Sequence, residues 1–474
     1  MAPTVATTIP EENLSALRMQ LRGQALTPDD PGYSDSRTPY NAMHPDRPAL
    51  VVRCTGTGDV VAAVGFARDN DLEPTVRGGG HSVAGLSSSD GGFVLDLSPM
   101  RGVLVDPEAR LARVQGGSVL GDVDREAQLF GLATPLGVAS ETGVAGLTLG
   151  GGYGWLRRKH GLACDNLVSA QVVCADGEVR TASADGDVDL LWALRGGGGN
   201  FGVVTSFTFR LHPVGPVVAF AGVFYPVAAA AEVLRGYRDY FVSAPDEVSA
   251  EALSITMPAA PDLPEPIHDQ ECFLVGAVYA GDPEEGMRQL QPLRELSAPL
   301  ADISQPMPFS FVQSAFDPFF PRGMLRAYWK SEYVPELSGA VIEIVARRSA
   351  ERPSALTFVD VYPMGGEIAR IGADDSAFGE RSAPYMVAVA CNWAEAADDE
   401  ANVAWVRDVW GELDALGTGS GYSNFSGPED TSASGGRDAF GRNLDRLADL
   451  KARYDPENLF RKNNNIAPSG AEPS

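Results

Sequence analysis

Four glycine clusters constrain the fold of this chain more than any other feature: RGGGHS at Arg77 to Ser82, GVAG at Gly143 to Gly146, GGGYG at Gly150 to Gly154 and GGGGNFG at Gly196 to Gly202. Glycine reaches positive φ without strain and lets backbone N–H groups approach a ligand with no Cβ in between. Successive N–H groups in such loops form concavities that hold an anion such as a pyrophosphate. A single cluster reads equally well as a turn. Four of them, within roughly 125 residues, are better explained by one long diphosphate ligand crossing several loops. None is a dinucleotide fingerprint, because GxGxxG between a first strand and its helix, with an acid about 20 residues on, is missing. There is no Walker A lysine.

At 474 residues the chain exceeds one ordinary core, so at least two domains are expected. Lys and Arg number 37 against 63 Asp and Glu, a formal net charge of -26. Such a charge repels phosphate backbones and anionic lipid, which argues against nucleic acid and membrane surfaces as partners. No apolar run reaches membrane-spanning length. Met1 to Pro10 lacks a basic region followed by an apolar run, so a cytoplasmic protein without a leader is expected. The five cysteines are scattered and odd in number, with no CxxC pair, which argues against structural zinc or a disulfide framework and leads to no expected metal.

From Arg53 to about Leu211 short β-branched runs alternate with helical stretches. Glu73 to Arg77, Gly92 to Asp96, Leu111 to Gln115, Leu167 to Cys174 and Val203 to Leu211 read as strands. Asp59 to Asn70 reads as an amphipathic helix capped by Thr57 or Asp59, and Ser118 to Gln128 as a second helix. The pattern is α+β rather than a regular βαβ series. After His212-Pro213 the texture changes, and helices such as Val403 to Leu416 suggest helical cover on an antiparallel sheet. Leu444 to Tyr454 is helical and precedes an extended tail, of which only the last few residues look disordered.

His81 closes a triple-glycine loop, which exposes its ring to whatever the loop binds. RGGGHSVAG (Arg77 to Gly85), LGGGYGWLRRKHGLACDNL (Leu149 to Leu167), WALRGGGGNFGVVT (Trp192 to Thr205) and YDPENLFRKNNNI (Tyr454 to Ile466) together resemble the berberine bridge enzyme-like flavoproteins of the vanillyl-alcohol oxidase, or PCMH-type, FAD superfamily. The resemblance implies an α+β fold: a PCMH-type FAD-binding domain of two α+β subdomains (residues 1–212), a substrate domain of antiparallel sheet covered by helices (213–418), and a C-terminal segment returning to the FAD domain (419–474). It implies FAD joined covalently through its 8α-methyl group to His81. It also places Arg77, Gly78, Gly79, Gly80, Ser82, Gly143, Gly146, Gly150, Gly151, Gly152, Asp165, Asn166, Gly199, Asn200, Gly202, Asn463 and Asn465 on cofactor-contacting motifs.

One departure from the family pattern is informative. Many members carry a second link through a cysteine, and the matching stretch here, Gly137 to Gly146 (GVASETGVAG), holds Ala139 at that position. A single link is therefore expected, with Cys164 read as a small buried hydrophobe. Thr142 falls where the family controls oxygen access. Single-link members with threonine there include the enterocin-pathway favorskiiase, which Leu50 to Ala67 and Gly143 to Asn166 also resemble.

Hydride removal requires that the substrate lose an O–H or N–H proton, which needs a base. Tyr422, in GSGYSNF, matches the family tyrosine that serves as one, if a cationic neighbour and the flavin lower its pKa. Asp360, in LTFVDVYPMGG, matches the active-site acid position, and Tyr362 would share its side of the strand. Phe309, Phe311, Phe316, Phe319, Phe320, Tyr328 and Trp329 suggest an aromatic wall for a planar or polyketide-like small molecule. The leading expectation is an FAD-dependent oxidase or oxygenase tailoring a secondary metabolite, with O2 as acceptor. The alternatives are a carbohydrate or alcohol oxidase giving a lactone or aldehyde with hydrogen peroxide, and a flavin-carrying protein that sequesters a metabolite without turnover.

Overall fold

A computed structural model describes residues 9–261, 263–431 and 440–470; the disorder expected at the very end of the chain concerns residues outside these. In the first sheet Leu50–Arg53, Phe93–Asp96 and Pro74–Arg77 run parallel, and Gln24–Leu26 joins antiparallel at the edge. The helix Thr57–Asp69 buries Val60, Ala63, Val64 and Ala67, the i, i+3, i+4, i+7 stripe of a helix laid on a sheet. Neither Thr57 nor Asp59 caps it, and Gly56 is the N-cap residue. The Asp59 carboxylate reaches backwards instead, accepting the N–H groups of Arg22, Gly23 and Thr55 at 2.8, 3.1 and 2.8 Å. The unsatisfied donors of an incoming loop outcompeted those of the helix. The strand Pro74–Arg77 leads directly into the glycine loop that ends at His81, so the sheet fixes where that loop begins.

A second sheet is antiparallel throughout, in the order Val103–Asp106, Leu111–Gln115, Val203–Arg210, Leu167–Val173, Val179–Ser183. Leu120, Val123 and Ala127 of the helix Leu120–Ala127 join its core. That helix starts two residues later than the sequence suggests, because Asp122 turns back to accept the Val119 N–H at 3.0 Å. Leu447, Leu450 and Tyr454 of the late helix Leu444–Tyr454 pack into the same cluster.

Asp124, on the buried face of Leu120–Ala127, accepts a hydrogen bond from Gln313 Nε2 at 3.1 Å, and burial lifts its pKa to about 7. A carboxyl raised above its unfolded value keeps its proton in the folded state while the unfolded chain ionises. Stability is then full below about pH 4 and falls as pH rises through 7, by on the order of 4 kcal/mol for a shift of this size. Asp124→Asn is expected to flatten that fall. Melting temperatures of both proteins between pH 4.5 and 8 check it, and parallel curves would refute the assignment.

The third sheet has eight antiparallel strands. Seven run in the order Ala301–Asp302, Val217–Pro226, Glu271–Tyr279, Val248–Thr256, Phe358–Pro363, Tyr385–Trp393, Arg326–Val334, and Gln305–Pro308 pairs with Val217–Pro226. Alternation along the strands splits its side chains cleanly. Ala250, Ala252, Val359, Val361, Val387 and Val389 point to one face, under the helices Ala230–Phe241, Gly339–Ala350 and Asp399–Asp414. Leu253, Phe358 and Ala390 point the other way, into a cluster with Tyr40, Val83 and Trp155 from the N-terminal part. That second face forms one wall of the candidate site. No helix among the described residues is long and apolar enough to cross a membrane.

Candidate active site

A cavity of about 320 Å³ lies between the glycine loops and the free face of the eight-stranded sheet. Its floor is built from backbone. A Cβ added to Gly79 would sit 2.5 Å from Cα and N of Gly143, and one added to Gly143 would sit 2.4 Å from N of Gly79, so two clusters touch main chain to main chain. Gly146 and Gly199 behave differently. Both line the cavity, yet a Cβ on either meets no protein atom within 4 Å, so a methyl group there would take space from a ligand.

Of the sequence-predicted residues, Gly78, Gly79, Gly80, His81, Ser82, Thr142, Gly143, Gly146, Gly150, Gly199, Gly202, Asp360, Tyr362, Tyr422 and Asn463 line this cavity. Arg77 does not, because its guanidinium is buried against Asp96 at 3.0 Å. Asp165 is paired with Arg381 at 2.6 Å, both side chains almost wholly buried. Asn166 donates to the carbonyls of His160 and Leu162 and lies 2.7 Å from His212 Nε2. Asn200 ties the tail to its glycine loop, donating to Asn464 O at 3.1 Å and accepting the Ile466 N–H at 3.0 Å. Gly151 and Gly152 shape a turn, with φ of 121° and 92°. Asn465 lies outside the lining and leaves its Oδ1 buried without a partner.

His81 stacks on Tyr40, with ring centroids 4.0 Å apart and planes 13° from parallel. Its Nε2 is buried with no hydrogen-bond partner. Burial, helped by the charge of Arg322, lowers its pKa to about 4, so the imidazole is neutral at ordinary pH and keeps a nitrogen lone pair. Ser87 Oγ and Asn463 Oδ1, also in the lining, are buried and unpartnered too. Orphaned polar atoms beside an open glycine floor fit a polar, elongated cofactor.

On the opposite wall Tyr422 accepts the Gly152 N–H at 3.0 Å and the Asn424 side-chain amide at 2.8 Å. Two donors on the phenol oxygen favour its ionised form, but burial outweighs them and the pKa rises above the ordinary tyrosine value. The expected cationic neighbour is not what acts on it; the lowering influences are these N–H groups. Tyr362 donates to Asp360 Oδ2 at 3.1 Å across one strand repeat, while Asp360 Oδ1 has no partner. Burial, and then the nearby Glu251, push the Asp360 pKa well up, which favours the protonated carboxyl.

The aromatic wall is smaller than the sequence suggested. Phe320 and Trp329 line the cavity, Phe309 and Phe316 are packed in the core beneath, and Phe311 is 60% exposed. Tyr328 falls on the helix-covered face because it is Trp329's strand neighbour. The sequence reading missed Phe425 and Tyr153, which complete the lining, and Glu251. The family stretch GSGYSNF held the signal for Phe425 and Asn424, three and two residues from Tyr422; Glu251 sits in an unremarkable strand and carries no such signal.

The fold and this site fit a flavoprotein of the kind that offers its cofactor several glycine loops rather than a Rossmann turn. The sequence profile described as "FAD binding domain" matches residues 48–183, and that described as "Berberine and berberine like" matches residues 421–467. An FAD-linked oxidoreductase of Dictyostelium discoideum is 33% identical over 89% of each chain. (R)-6-hydroxynicotine oxidase of Paenarthrobacter nicotinovorans is 31% identical over 96% of this chain and 99% of its own. The crystal structure of 6-hydroxy-D-nicotine oxidase from Arthrobacter nicotinovorans superposes with a TM-score of 0.83 at 29% identity, covering 95% of this chain and 98% of that one. The chain belongs to the berberine bridge enzyme-like FAD-linked oxidoreductases. It is an enzyme, and its cofactor is FAD.

The two open glycines then make a direct prediction. Gly146→Ala and Gly199→Ala should leave the fold intact, since neither Cβ meets protein, but slow FAD uptake at least about tenfold if the cofactor fills that space. The rate at which flavin-free protein from riboflavin-limited cells gains flavin absorbance when supplied with FAD reads this, and unchanged uptake would mean that the cofactor lies elsewhere.

Proposed function

We propose that this enzyme oxidises a small, largely apolar organic substrate, with the flavin held by a single covalent bond to His81 and O2 as electron acceptor. The observation that carries the reading is the opposition, across one cavity, of a neutral buried histidine on a glycine floor and a tyrosine whose oxygen receives two N–H donors. A single bond is supported by Ala139 at the cavity wall and by Cys164, which is buried outside the lining with its Sγ 3.7 Å from Asp165 Oδ1. In this reading the cofactor floor is residues 1–212, the substrate wall 213–418, and the returning segment 419–474 closes the site.

FAD bound on the glycine floor would supply the hydride acceptor. Tyr422, as phenolate, accepts the substrate O–H or N–H proton, and Gly152 and Asn424 hold its charge until that transfer. Asn424 is itself oriented by donating to Leu147 O at 3.2 Å. Protonated Asp360, positioned by Tyr362, donates its free hydrogen bond to the substrate heteroatom. Phe320, Trp329 and Phe425 exclude water and favour a planar apolar body over a sugar. Thr142, whose N–H donates to Ala139 O at 3.1 Å and whose O accepts the Leu120 N–H at 3.0 Å, stands on the wall where O2 would approach. The test is anaerobic titration of the yellow protein with aromatic amines and alcohols and with oligosaccharides. Loss of flavin absorbance with the aromatic set supports the reading, whereas bleaching by oligosaccharides alone overturns the substrate class.

A further inference from the structure

Residues 38–42 form a strap between the His81 loop and the segment that enters the strand Arg326–Val334. The Thr38 carbonyl accepts Nε and Nη2 of Arg322 at 3.2 and 2.9 Å. Tyr40 donates its N–H to Gly80 O at 2.9 Å and accepts the Gly323 N–H at 2.8 Å. Asn41 clasps both sides, donating to Val83 O at 2.7 Å and Ala327 O at 2.8 Å and accepting the Ala327 N–H at 2.9 Å. The strap therefore sets the Tyr40 ring from two directions. That ring is 1% exposed, lies flat on His81, and meets Trp329 edge-on with centroids 6.1 Å apart. Its hydroxyl is buried without a partner, so hydrogen bonding is not what places it there.

We infer that Tyr40 is a positioning residue for covalent flavin attachment, holding the His81 ring in the plane from which its nitrogen meets the 8α carbon. The inference rests on the proposed His81 link. Attachment forms one C–N bond; the 8α carbon loses a hydrogen and the imidazole loses its N–H proton. The electron pair released passes through the flavin to O2, which departs with both hydrogens as hydrogen peroxide. Such a step depends steeply on the approach of the nitrogen, and misplacement by about 1 Å can cost two orders of magnitude in rate. His81 follows three glycines, and Gly80 has φ of 72°, so its own loop does little to hold the ring. The stacked tyrosine supplies that restraint, while burial and Arg322 keep the nucleophile neutral.

The experiment uses full-length protein produced in riboflavin-limited cells and then supplied with FAD. Two quantities are followed: total bound flavin, and the fraction that stays with acid-precipitated protein. Tyr40→Leu and Tyr40→Met are expected to bind FAD yet attach it at least about tenfold more slowly than wild type. Tyr40→Phe, which removes only an unpartnered hydroxyl, should attach within about twofold of wild type and keeps the test open whatever the fate of the aliphatic variants. Wild-type rates in the Leu and Met proteins, or slow attachment in the Phe protein, would overturn the inference. Wild-type protein that binds FAD but never acquires acid-stable colour would instead overturn the His81 link itself, and the inference with it.

Discussion

Tyr422→Phe is expected to lower kcat by about 10²- to 10⁴-fold, the range typical of losing a general base, with a much smaller change in KM. The phenol oxygen receives two N–H donors that prepare it for negative charge. Burial nonetheless holds its pKa above the ordinary value, so the active phenolate is scarce at neutral pH. The wild-type rate should therefore climb with pH through the alkaline range, because deprotonation supplies the active form and folded-state burial only displaces it upwards. The Phe variant should lose that slope. A variant that kept the slope, or lost less than about tenfold in kcat, would remove Tyr422 from the chemistry. Asn424→Ala provides a graded comparison. It takes away one of the two donors while leaving the phenol, so the alkaline limb should shift further upwards.

The second large effect concerns stability. Lys451 is completely buried on the helix Leu444–Tyr454, and its ammonium donates to Asn200 O at 2.8 Å, Asp455 Oδ2 at 2.7 Å and Phe460 O at 2.9 Å. Asp455 in turn accepts the N–H groups of Leu459 and Phe460 at 2.7 and 2.8 Å. One cation thus joins the late helix, the extended tail and the fourth glycine cluster. Lys451→Met keeps the side-chain length but strands the Asp455 charge, and breaking a buried pair in this way costs about 3–5 kcal/mol. Urea unfolding followed by far-UV circular dichroism should report that loss. Because Asn200 also anchors Asn464 and Ile466, flavin-free protein of the same variant should take up supplied FAD more slowly. A loss below about 1 kcal/mol would mean that the tail is held by its other contacts and not by the Lys451 ammonium.

What the sequence made legible follows from locality. Glycine loops announce themselves within a few residues as places of close backbone approach, whereas the main-chain contact of Gly79 with Gly143 joins clusters far apart in the chain and was not foreseen. Helices with a strong apolar stripe, such as Leu444–Tyr454, emerged at the bounds their periodicity gave. What stayed hidden depends on partners distant in the chain. Asp59 looked like a cap because only its neighbours were visible, whereas its carboxylate serves a loop 36 residues upstream. Tyr40 sits in TPYNAMHP, where nothing announces that it will lie on His81. Glu251 reads as a strand residue, and its influence on Asp360 arises only because the strand pairing sets Leu253 opposite Asp360 and so brings the two acids to one face. Burial decides the charge state of His81, Asp360 and Tyr422 alike, and burial is a property of the assembled sheet and loops rather than of any motif.

Acid precipitation followed by peptide mass mapping tests the covalent bond at His81 most directly. That bond predicts yellow colour that stays with the precipitated protein, an FAD-derived mass on the peptide containing His81, and an unmodified peptide containing Cys164. Colour left entirely in the supernatant, or flavin found on any other residue, would contradict it.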